Sequence, residues 1–250
     1  MELDIFGASD IGCVRDLNED SFCIYGFEQA KPDGFCILSD GMGGCNAGEV
    51  ASQKTVQFMA DELIEAIHTE EARAIPKSIN QAVRTTNEKV YKMAVENQNQ
   101  HGMGATMVAA VIMENEAYIA NVGDSRAYAF RNHNLLQITK DHSVVEEMVA
   151  NGSITREEAR NHPQRNIITR AMGTDYVTEP DIFEYDFLAG DYLLLCSDGL
   201  SGMVEDGEIA EMLDKGLSSK QTVTQLIETA KERGGNDNIT VICIRFTQEG

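Results

Sequence analysis

Acidic residues stand at the ends of several apolar segments of the sequence. Asp40 closes the run FCILSD and Asp198 closes LLLCSD, and each is followed by glycine. Five aspartates share this placement beside a run that is typical of a core strand: Asp20, Asp40, Asp124, Asp198 and Asp237. Such positions could bring several carboxylates together at the edges of a folded core.

A carboxylate at the end of a buried strand costs free energy unless it is paired or binds a cation. Few Lys or Arg residues lie near these aspartates. Hard divalent metals with oxygen ligands, such as Mg²⁺ or Mn²⁺, are their natural partners, and Gly41 could add its carbonyl. Each aspartate alone is equally typical of a turn or cap, as Asp16 and Asp33 are. The repetition of one acid at strand ends favours a metal site.

Arg15 lies five residues before Asp20, close enough in sequence for both to belong to one loop region. An arginine beside a pair of metal ions is suited to bidentate capture of a phosphate group. The spacing alone leaves open the alternative of an ordinary surface arginine.

Short alternating runs and two long helical patterns make up the first part of the chain. FGAS, SFCIYGF and GFCILSD are predicted strands, with a turn expected at Lys31–Gly34. Apolar residues then recur at helical spacing from Val56 to Ile67 and from Ile79 to Ala94, and Pro76 suits a first helical turn. Each predicted helix has one apolar stripe that must cover a sheet.

The second part predicts further strands at ATMVAAVIM, EAYIANVG and SRAYAFR, with very short connections that favour antiparallel pairing. Glu114-Asn115 is an expected hairpin turn. A polar, helix-prone insert runs from about Ser143 to Thr174, before strands at EYDFL and DYLLLCSDG, a helix at Val223–Ala230 and a last strand, NITVICIRF. This order predicts an α+β fold of two packed antiparallel sheets with helices outside.

Composition excludes several classes of protein. The 250 residues suit a single domain, and 20 Lys+Arg against 41 Asp+Glu give a net charge of −21, which argues against nucleic acid and anionic membrane surfaces. No signal peptide or membrane span is expected. The cysteines show no C-x-x-C pair and indicate reduced thiols in a cytoplasmic protein, which we expect to be a monomer: Cys13, Cys23, Cys36, Cys45, Cys196 and Cys243.

The motifs GCVRDLNEDSF, LSDGMGG, GATMVAAVI, ANVGDSRAY, TKDHS, LLLCSDGL and GGNDNITV occur in that order. Their series resembles the type-2C metal-dependent Ser/Thr phosphatases in their single-domain bacterial form, over nearly the whole chain from Gly12 to Phe246. The resemblance implies an αββα sandwich in which the metals lie in a channel at one edge of the sheets.

The resemblance also implies the ligands of two Mn²⁺ or Mg²⁺ ions. Asp40 matches the carboxylate that bridges the two metals, and the carbonyl of Gly41 matches a ligand of the second. Asp198 and Asp237 match ligands of the first.

Further roles follow from the same resemblance. Glu19 and Asp20 match acids that hold the second metal, largely through its waters. Asp124 matches an acid that helps bind a weaker third metal, together with Asp198. Arg15 matches the phosphate-binding arginine, and the insert from about 143 to 174 falls where the family has a mobile flap.

The acid that protonates the leaving group stays open. Relatives carry His at or near the positions of Met42 and Cys45, and this chain has none there. His142, in TKDHS, fits the family pattern, and we interpret it as a structural loop residue.

The expected reaction is hydrolysis of phosphoserine and phosphothreonine in proteins by a metal-activated water, without a covalent intermediate. The resemblance implies phosphoprotein substrates, with a bacterial Ser/Thr kinase and its targets as partners. Two alternatives stay open: a partner-switch phosphatase with one dedicated phosphoprotein substrate, and a catalytically inactive, metal-binding regulatory protein.

Overall fold

The computed structural model describes residues 2–28, 31–43, 47–68, 75–113 and 116–248. The strands are β1 (Glu2–Asp10), β2 (Asp20–Glu28), β3 (Lys31–Met42), β4 (Gly104–Ala105), β5 (Met107–Met113), β6 (Glu116–Val122), β7 (Arg126–Arg131), β8 (Asn134–Gln137), β9 (Asp181–Asp186), β10 (Tyr192–Cys196) and β11 (Ile239–Thr247). The α-helices are α1 (Ala47–His68), α2 (Ile75–Glu96), α3 (Val144–Ala150), α4 (Arg156–Arg160), α5 (Asp198–Ser201), α6 (Asp206–Asp214) and α7 (Ser219–Glu232).

The strands form two sheets, and the pairs described are antiparallel. One sheet has the order β1-β11-β10-β7-β8. The other has the order β2-β3-β5-β6-β9, with the short β4 paired to β3. Neighbouring strands in each sheet therefore run in opposite directions, so strand beginnings and strand ends alternate along one edge.

Alternating side chains along the central strands separate three apolar layers. In β11, Ile242 and Ile244 pack between the sheets, whereas Val241 and Cys243 pack under α5, α6 and α7. In β3, Cys36 and Leu38 lie between the sheets while the intervening side chains pack under α1 and α2. This period of two gives both faces of each sheet an apolar surface, and so places helices on the two outer sides.

The expected α+β fold with an αββα arrangement is confirmed, as are the long helices α1, α2 and α7. The helix α7 begins at Ser219, four residues before the expected stripe, because Ser218 Oγ accepts from the Gln221 N–H while Gln221 Oε1 accepts from the Ser218 N–H. Pro76 occupies the second position of α2, where its missing N–H costs no intrahelical bond.

Two local expectations are wrong. The expected turn at Lys31–Gly34 is part of β3, because a bulge opposite Gly26–Glu28 lets the pairing continue, with Phe27 at φ 63°. Consecutive β6 and β7 do not pair with each other, since they belong to different sheets. The short link between them crosses the sandwich instead of turning back as a hairpin.

Other elements were missed or lie outside the described residues. Strand β8 and helices α5 and α6 are absent from the sequence prediction, since they are short or lack a long apolar stripe. The insert at 143–174 is helical only at α3 and α4, and its far end is tied to the body by a bridge between Ala105 and Met172. The Glu114-Asn115 turn lies outside the described residues, although β5 and β6 pair as expected.

Two further observations concern the whole described chain. None of its described helices combines the length and the apolar character that crossing a bilayer requires. The described cysteines are free thiols, of which Cys36, Cys196 and Cys243 are buried, Cys23 is half-buried and Cys13 is exposed.

We predict that Leu193→Ala lowers the free energy of unfolding by about 2–5 kcal/mol, because it removes a side chain from the layer between the sheets and leaves a cavity. Leu188→Ala, at a side chain that is 58% exposed, is the matched control and should change it by less than about 0.5 kcal/mol. Urea unfolding followed by circular dichroism measures both. Equal losses would contradict the assignment of Leu193 to the core.

Candidate metal-dependent active site

Five strand ends meet at one edge of the sandwich and carry the acids singled out in the sequence. Asp20 begins β2 and Asp40 lies near the end of β3, where the two residues are directly opposite each other in the ladder. Asp124 follows β6, Asp198 follows β10 at the start of α5, and Asp237 precedes β11. Both sheets therefore contribute carboxylates to one site.

The backbone at Asp40 is fixed by Thr106, in the link between β4 and β5. The Asp40 N–H donates to Thr106 Oγ1 at 2.9 Å, and the Thr106 N–H donates to the Asp40 carbonyl at 2.8 Å. The same hydroxyl lies 2.8 Å from the hydroxyl of Ser125, the neighbour of Asp124. Thr106 thus links the loops that carry two of the predicted ligands.

Asp20 joins the two sheets through its carboxylate. Its Oδ2 accepts from Ser197 Oγ at 2.8 Å and from Thr240 Oγ1 at 2.7 Å, and both donors belong to the opposite sheet or its flanking turn. The Thr240 N–H in turn donates to Ser197 Oγ at 3.0 Å. These bonds hold a buried carboxylate charge in place and orient its second oxygen.

A cradle without side chains lies between Glu19, Gly41 and the first turn of α1. A Cβ at Gly41 would lie 2.0 Å from the Gly48 carbonyl oxygen, so no side chain fits there. A Cβ at Gly48 would lie 2.3 Å from Glu19 Oε1 and 2.9 Å from the Gly41 carbonyl oxygen. One carboxylate oxygen and one carbonyl oxygen therefore approach the same spot, where glycine leaves room for them.

The turn that carries Asp124 is held by His142. Gly123 adopts φ 106°, which favours glycine, and its N–H donates to His142 Nδ1 at 3.1 Å while its carbonyl accepts from the His142 N–H at 2.9 Å. Nε2 of the ring lies 3.3 Å from an oxygen of Asp181. This arrangement agrees with the interpretation of His142 as a structural loop residue.

Arg15 lies at the rim of the site, half-exposed, and donates from Nη2 to Asp237 Oδ2 at 2.8 Å. The contact raises the pKa of Arg15, and the charges of Glu19 and Asp40 act in the same direction. Arg15 is therefore an ion-paired arginine that belongs to the acidic cluster, which disfavours the alternative of an unrelated surface residue.

Burial and mutual repulsion disfavour ionisation of the clustered acids. Burial is the largest cause at Asp20 and Asp124, raising the pKa of Asp20 to about 7 and that of Asp124 to about 8. The pKa of Asp40 is raised well above its usual range, first by burial and then by the charges of neighbouring aspartates, and the pKa of Asp198 rises for the same reasons. The pKa of Glu19 is also raised, chiefly by burial.

The donor set fits divalent metal ions. Asp20 Oδ1 and Asp198 Oδ1 are buried without a hydrogen-bond partner, which is costly for carboxylate oxygens unless a cation approaches them. All candidate ligands are oxygens, as Mg²⁺ and Mn²⁺ prefer. Within the described part of the chain, no three acidic, His or Cys side chains already form a closed metal-binding group, and Arg15 and hydroxyls occupy part of the set.

A cavity of about 600 Å³ opens beside this edge, between the insert and helices α5 and α6. Asp124 and Asp198 line it, together with Arg156 and Arg165 from the insert and Arg233 after α7. The cavity therefore reaches Asp124 and Asp198, and two of its arginines are ion-paired, Arg156 with Glu146 and Arg233 with Glu208.

The sequence prediction missed the residues that support the acids. Ser197 and Asn238 stand next to Asp198 and Asp237, so adjacency was their signal, whereas Thr106 lies within the motif GATMVAAVI, to which the sequence assigned no role. Cys45, considered for proton transfer, lies outside the described residues.

An edge that gathers acids from two packed antiparallel sheets beside an arginine is suited to metal-dependent hydrolysis. The protein phosphatase 2C family matches residues 15–241. The serine/threonine phosphatase stp of Listeria monocytogenes is 38% identical over 244 residues, covering 97% of this chain and 96% of that protein. The chain belongs to the protein phosphatase 2C family.

Solved structures agree in fold. The serine/threonine phosphatase of S. agalactiae superposes with a TM-score of 0.89 at 36% identity, covering 98% of this chain and 99% of that one. The catalytic domain of serine/threonine protein phosphatase PstP in complex with two manganese ions gives a TM-score of 0.84 at 35% identity, covering 98% and 99%. Family membership and this second likeness indicate that the chain depends on divalent metal ions.

The raised pKa values predict that, in the presence of chelator, stability falls as pH rises. The folded state keeps protons on Asp20, Asp40, Asp124 and Asp198 that the unfolded chain has lost, so stability is lost from about pH 4 up to about pH 8. The lowered pKa of His142 opposes this trend, and the lowered pKa values of Asp10, Glu158, Asp181 and Glu208 oppose it at the acidic end of the range. Thermal unfolding across this range should show the decline.

Saturating Mn²⁺ should reverse that slope, because the metal competes with the protons on these carboxylates. Asp40→Asn removes one of the clustered groups and should make the decline in chelator shallower. A stability in chelator that rises with pH throughout the same window would contradict the clustering of the four acids.

Asp40→Asn should also reduce turnover of a phosphothreonine peptide to near background, because it removes the charge expected to bridge two ions. Asp61→Asn, at an exposed position on α1, is the control and should retain wild-type turnover. The measurement is the rate of phosphate release at saturating Mn²⁺, with circular dichroism to check folding. Wild-type turnover in Asp40→Asn would rule out the bridging role.

Proposed function

We propose that this protein phosphatase hydrolyses phosphoserine and phosphothreonine in proteins with two divalent ions held at the edge where the sheets meet. Membership of the protein phosphatase 2C family and the serine/threonine phosphatases among its relatives make the chain a protein-serine/threonine phosphatase. One observation supports the two-ion proposal: buried carboxylates at strand ends have raised pKa values, and two of their oxygens, Asp20 Oδ1 and Asp198 Oδ1, have no hydrogen-bond partner.

The proposed ligands divide between two ions. Asp40, at the centre of the mutual repulsion, would bridge them, with Asp198 and Asp237 completing the first. Gly41 and Glu19, whose oxygens approach the same cradle, would serve the second. Bound Mn²⁺ or Mg²⁺ would supply a nucleophile at neutral pH and neutralise phosphoryl charge.

The chain's own residues bind and orient the substrate. Arg15 would exchange its bond to Asp237 for charge-assisted bonds to phosphoryl oxygens, which a guanidinium makes in pairs. Asp20, fixed by Ser197 and Thr240, would orient water at the second ion through its free Oδ1. The proton donor to the leaving oxygen stays open, because Met42 cannot donate one and Cys45 lies outside the described residues.

The two alternatives left open by the sequence receive no support. A catalytically inactive regulatory protein would be expected to lack ligand acids, whereas each matched position is filled. A phosphatase dedicated to one partner-switch protein is not favoured by relatives that carry general serine/threonine phosphatase names.

We propose that residues 1–250 act as one phosphatase domain, with 143–174 as a flap beside the site. The cavity between this insert and helices α5 and α6 supports the flap assignment. An opposing Ser/Thr kinase and a monomeric state remain predictions. The free thiols support the predicted cytoplasmic location, since such thiols are typical of reducing compartments.

The activity is tested by phosphate release from phosphothreonine and phosphotyrosine peptides of equal sequence context. We expect release from the phosphothreonine peptide with Mn²⁺, loss of that release with chelator, and little release from the phosphotyrosine peptide. Metal-independent release, or none at saturating Mn²⁺, would contradict the proposal.

We predict that Arg15→Ala raises the KM for a phosphopeptide about 10-fold to 100-fold with a smaller fall in kcat, because it removes a charge-assisted contact of about 1.5–3 kcal/mol. Arg84→Ala is the matched control, since Arg84 is 50% exposed against 48% for Arg15 and lies away from the acids on α2. An unchanged KM in Arg15→Ala would assign Arg15 to surface pairing alone.

The third, weaker ion is tested at Asp124. If Asp124 holds only that ion, Asp124→Ala should leave two tight Mn²⁺ sites visible by calorimetry while turnover falls by about 10-fold or more. Loss of all tight binding in Asp124→Ala would place Asp124 in the main pair instead.

A further inference from the structure

Arg15 lies on a loop that the rest of the protein holds mainly by its two ends. This arginine loop, residues 11–17, links β1 to the segment that carries Glu19. Residues 12–14 form a turn, and among the described residues no backbone N–H of residues 14–17 donates to a residue outside the loop. The position of Arg15 therefore depends on what fixes the ends of the loop.

One side chain contacts both ends. Asn238 Nδ2 donates to the carbonyl of Ile11 at 3.0 Å and to the carbonyl of Leu17 at 2.9 Å. Its Oδ1 accepts from the Glu19 N–H at 2.8 Å. Asn238 is 4% exposed, so these bonds are shielded from water and each is costly to leave unmade.

The loop also packs closely on the turn that precedes β11. The Cys13 N–H donates to the Gly235 carbonyl at 2.8 Å, and a Cβ at Gly12 would lie 2.2 Å from the Asp237 carbonyl oxygen. Gly12 has φ 79°, which suits this close approach. Asn238 completes the contact, because a carboxamide offers two donors and an acceptor in one plane.

We propose that Asn238 is a positioning residue that closes the arginine loop and sets where Arg15 meets the phosphate. The inference rests on the proposed function, since it assigns Arg15 to phosphate. Asn238 touches neither phosphate nor metal in this role; it acts through the carbonyls of Ile11 and Leu17. Its loss lets the loop ends separate and weakens phosphate binding through Arg15.

The test compares variants of two asparagines in one turn. Asn238→Asp keeps an acceptor for the Glu19 N–H and removes both donors to the loop. Asn236→Asp adds the same charge two residues away, where the side chain is exposed and, among the described residues, hydrogen-bonds only weakly, to Met203 Sδ at 3.9 Å. The probe is inorganic phosphate, with its Kd measured by calorimetry at saturating Mg²⁺.

We expect Asn238→Asp to raise the phosphate Kd about tenfold over Asn236→Asp, the size of one or two lost hydrogen bonds. In the Arg15→Ala background the same change should alter Kd by less than about twofold, because the effect passes through Arg15. A merely structural role would leave the tenfold effect in that background. Persistence of the effect there, or no effect in either background, overturns the proposal.

A second measurement needs no variant and covers the case in which Asn238→Asp fails to fold. In the wild-type protein, NMR should show both side-chain amide protons of Asn238 protected from solvent exchange, since both are donated to carbonyls. Rapid exchange of these protons would contradict the proposal that Asn238 closes the arginine loop. Neither readout depends on turnover, so an inactive wild-type enzyme would refute the proposed function separately.

Discussion

Repulsion among buried carboxylates is the constraint on which the rest of this structure depends. Asp40 lies within the field of four other aspartates, and burial weakens the solvation that would otherwise stabilise its charge. The positive charges of Arg126 and Arg15 lower the pKa of Asp198, but Arg126 is already paired with Asp141 and Arg15 with Asp237. A site of this kind binds divalent ions because their binding removes the repulsion.

The sandwich makes such a site possible without a long loop. Antiparallel neighbours bring strand beginnings and ends to the same edge, so acids distant in sequence meet there. Asp20 connects the sheets through Ser197 and Thr240, and the crossing between β6 and β7 delivers Asp124. The apolar layer between the sheets fixes the positions of these strand ends relative to each other, and so holds the acids of the two sheets together.

Sequence patterns predicted the parts that depend on local periodicity. Apolar stripes identified α1, α2 and α7, and alternation identified the central strands, because side-chain burial imposes those periods. Acids at strand ends predicted the cluster of carboxylates that the structure brings together, since their cost of burial is a property of residue type. The ordered motifs then indicated the family and the αββα arrangement.

The remaining features depend on tertiary context. The bulge in β3 falls at a Lys-Pro-Asp-Gly segment whose composition is typical of a turn, so the sequence predicted a turn there. The separation of β6 from β7 depends on how the two sheets pack. Thr106 and Asn238 form hydrogen bonds with residues far away in sequence, so the partners of these two side chains cannot be predicted from spacing. A side chain that positions others leaves a weaker sequence signal than one that carries charge.

Counting the ions tests the central claim most directly. Mn²⁺ is titrated into the metal-free protein near pH 7 in buffers of different ionisation enthalpy, which gives both the stoichiometry and the protons released. We expect two tightly bound ions per chain and a net release of protons, because carboxylates with raised pKa values must lose protons to bind metal. Fewer than two tight ions, or binding without proton release, would contradict it.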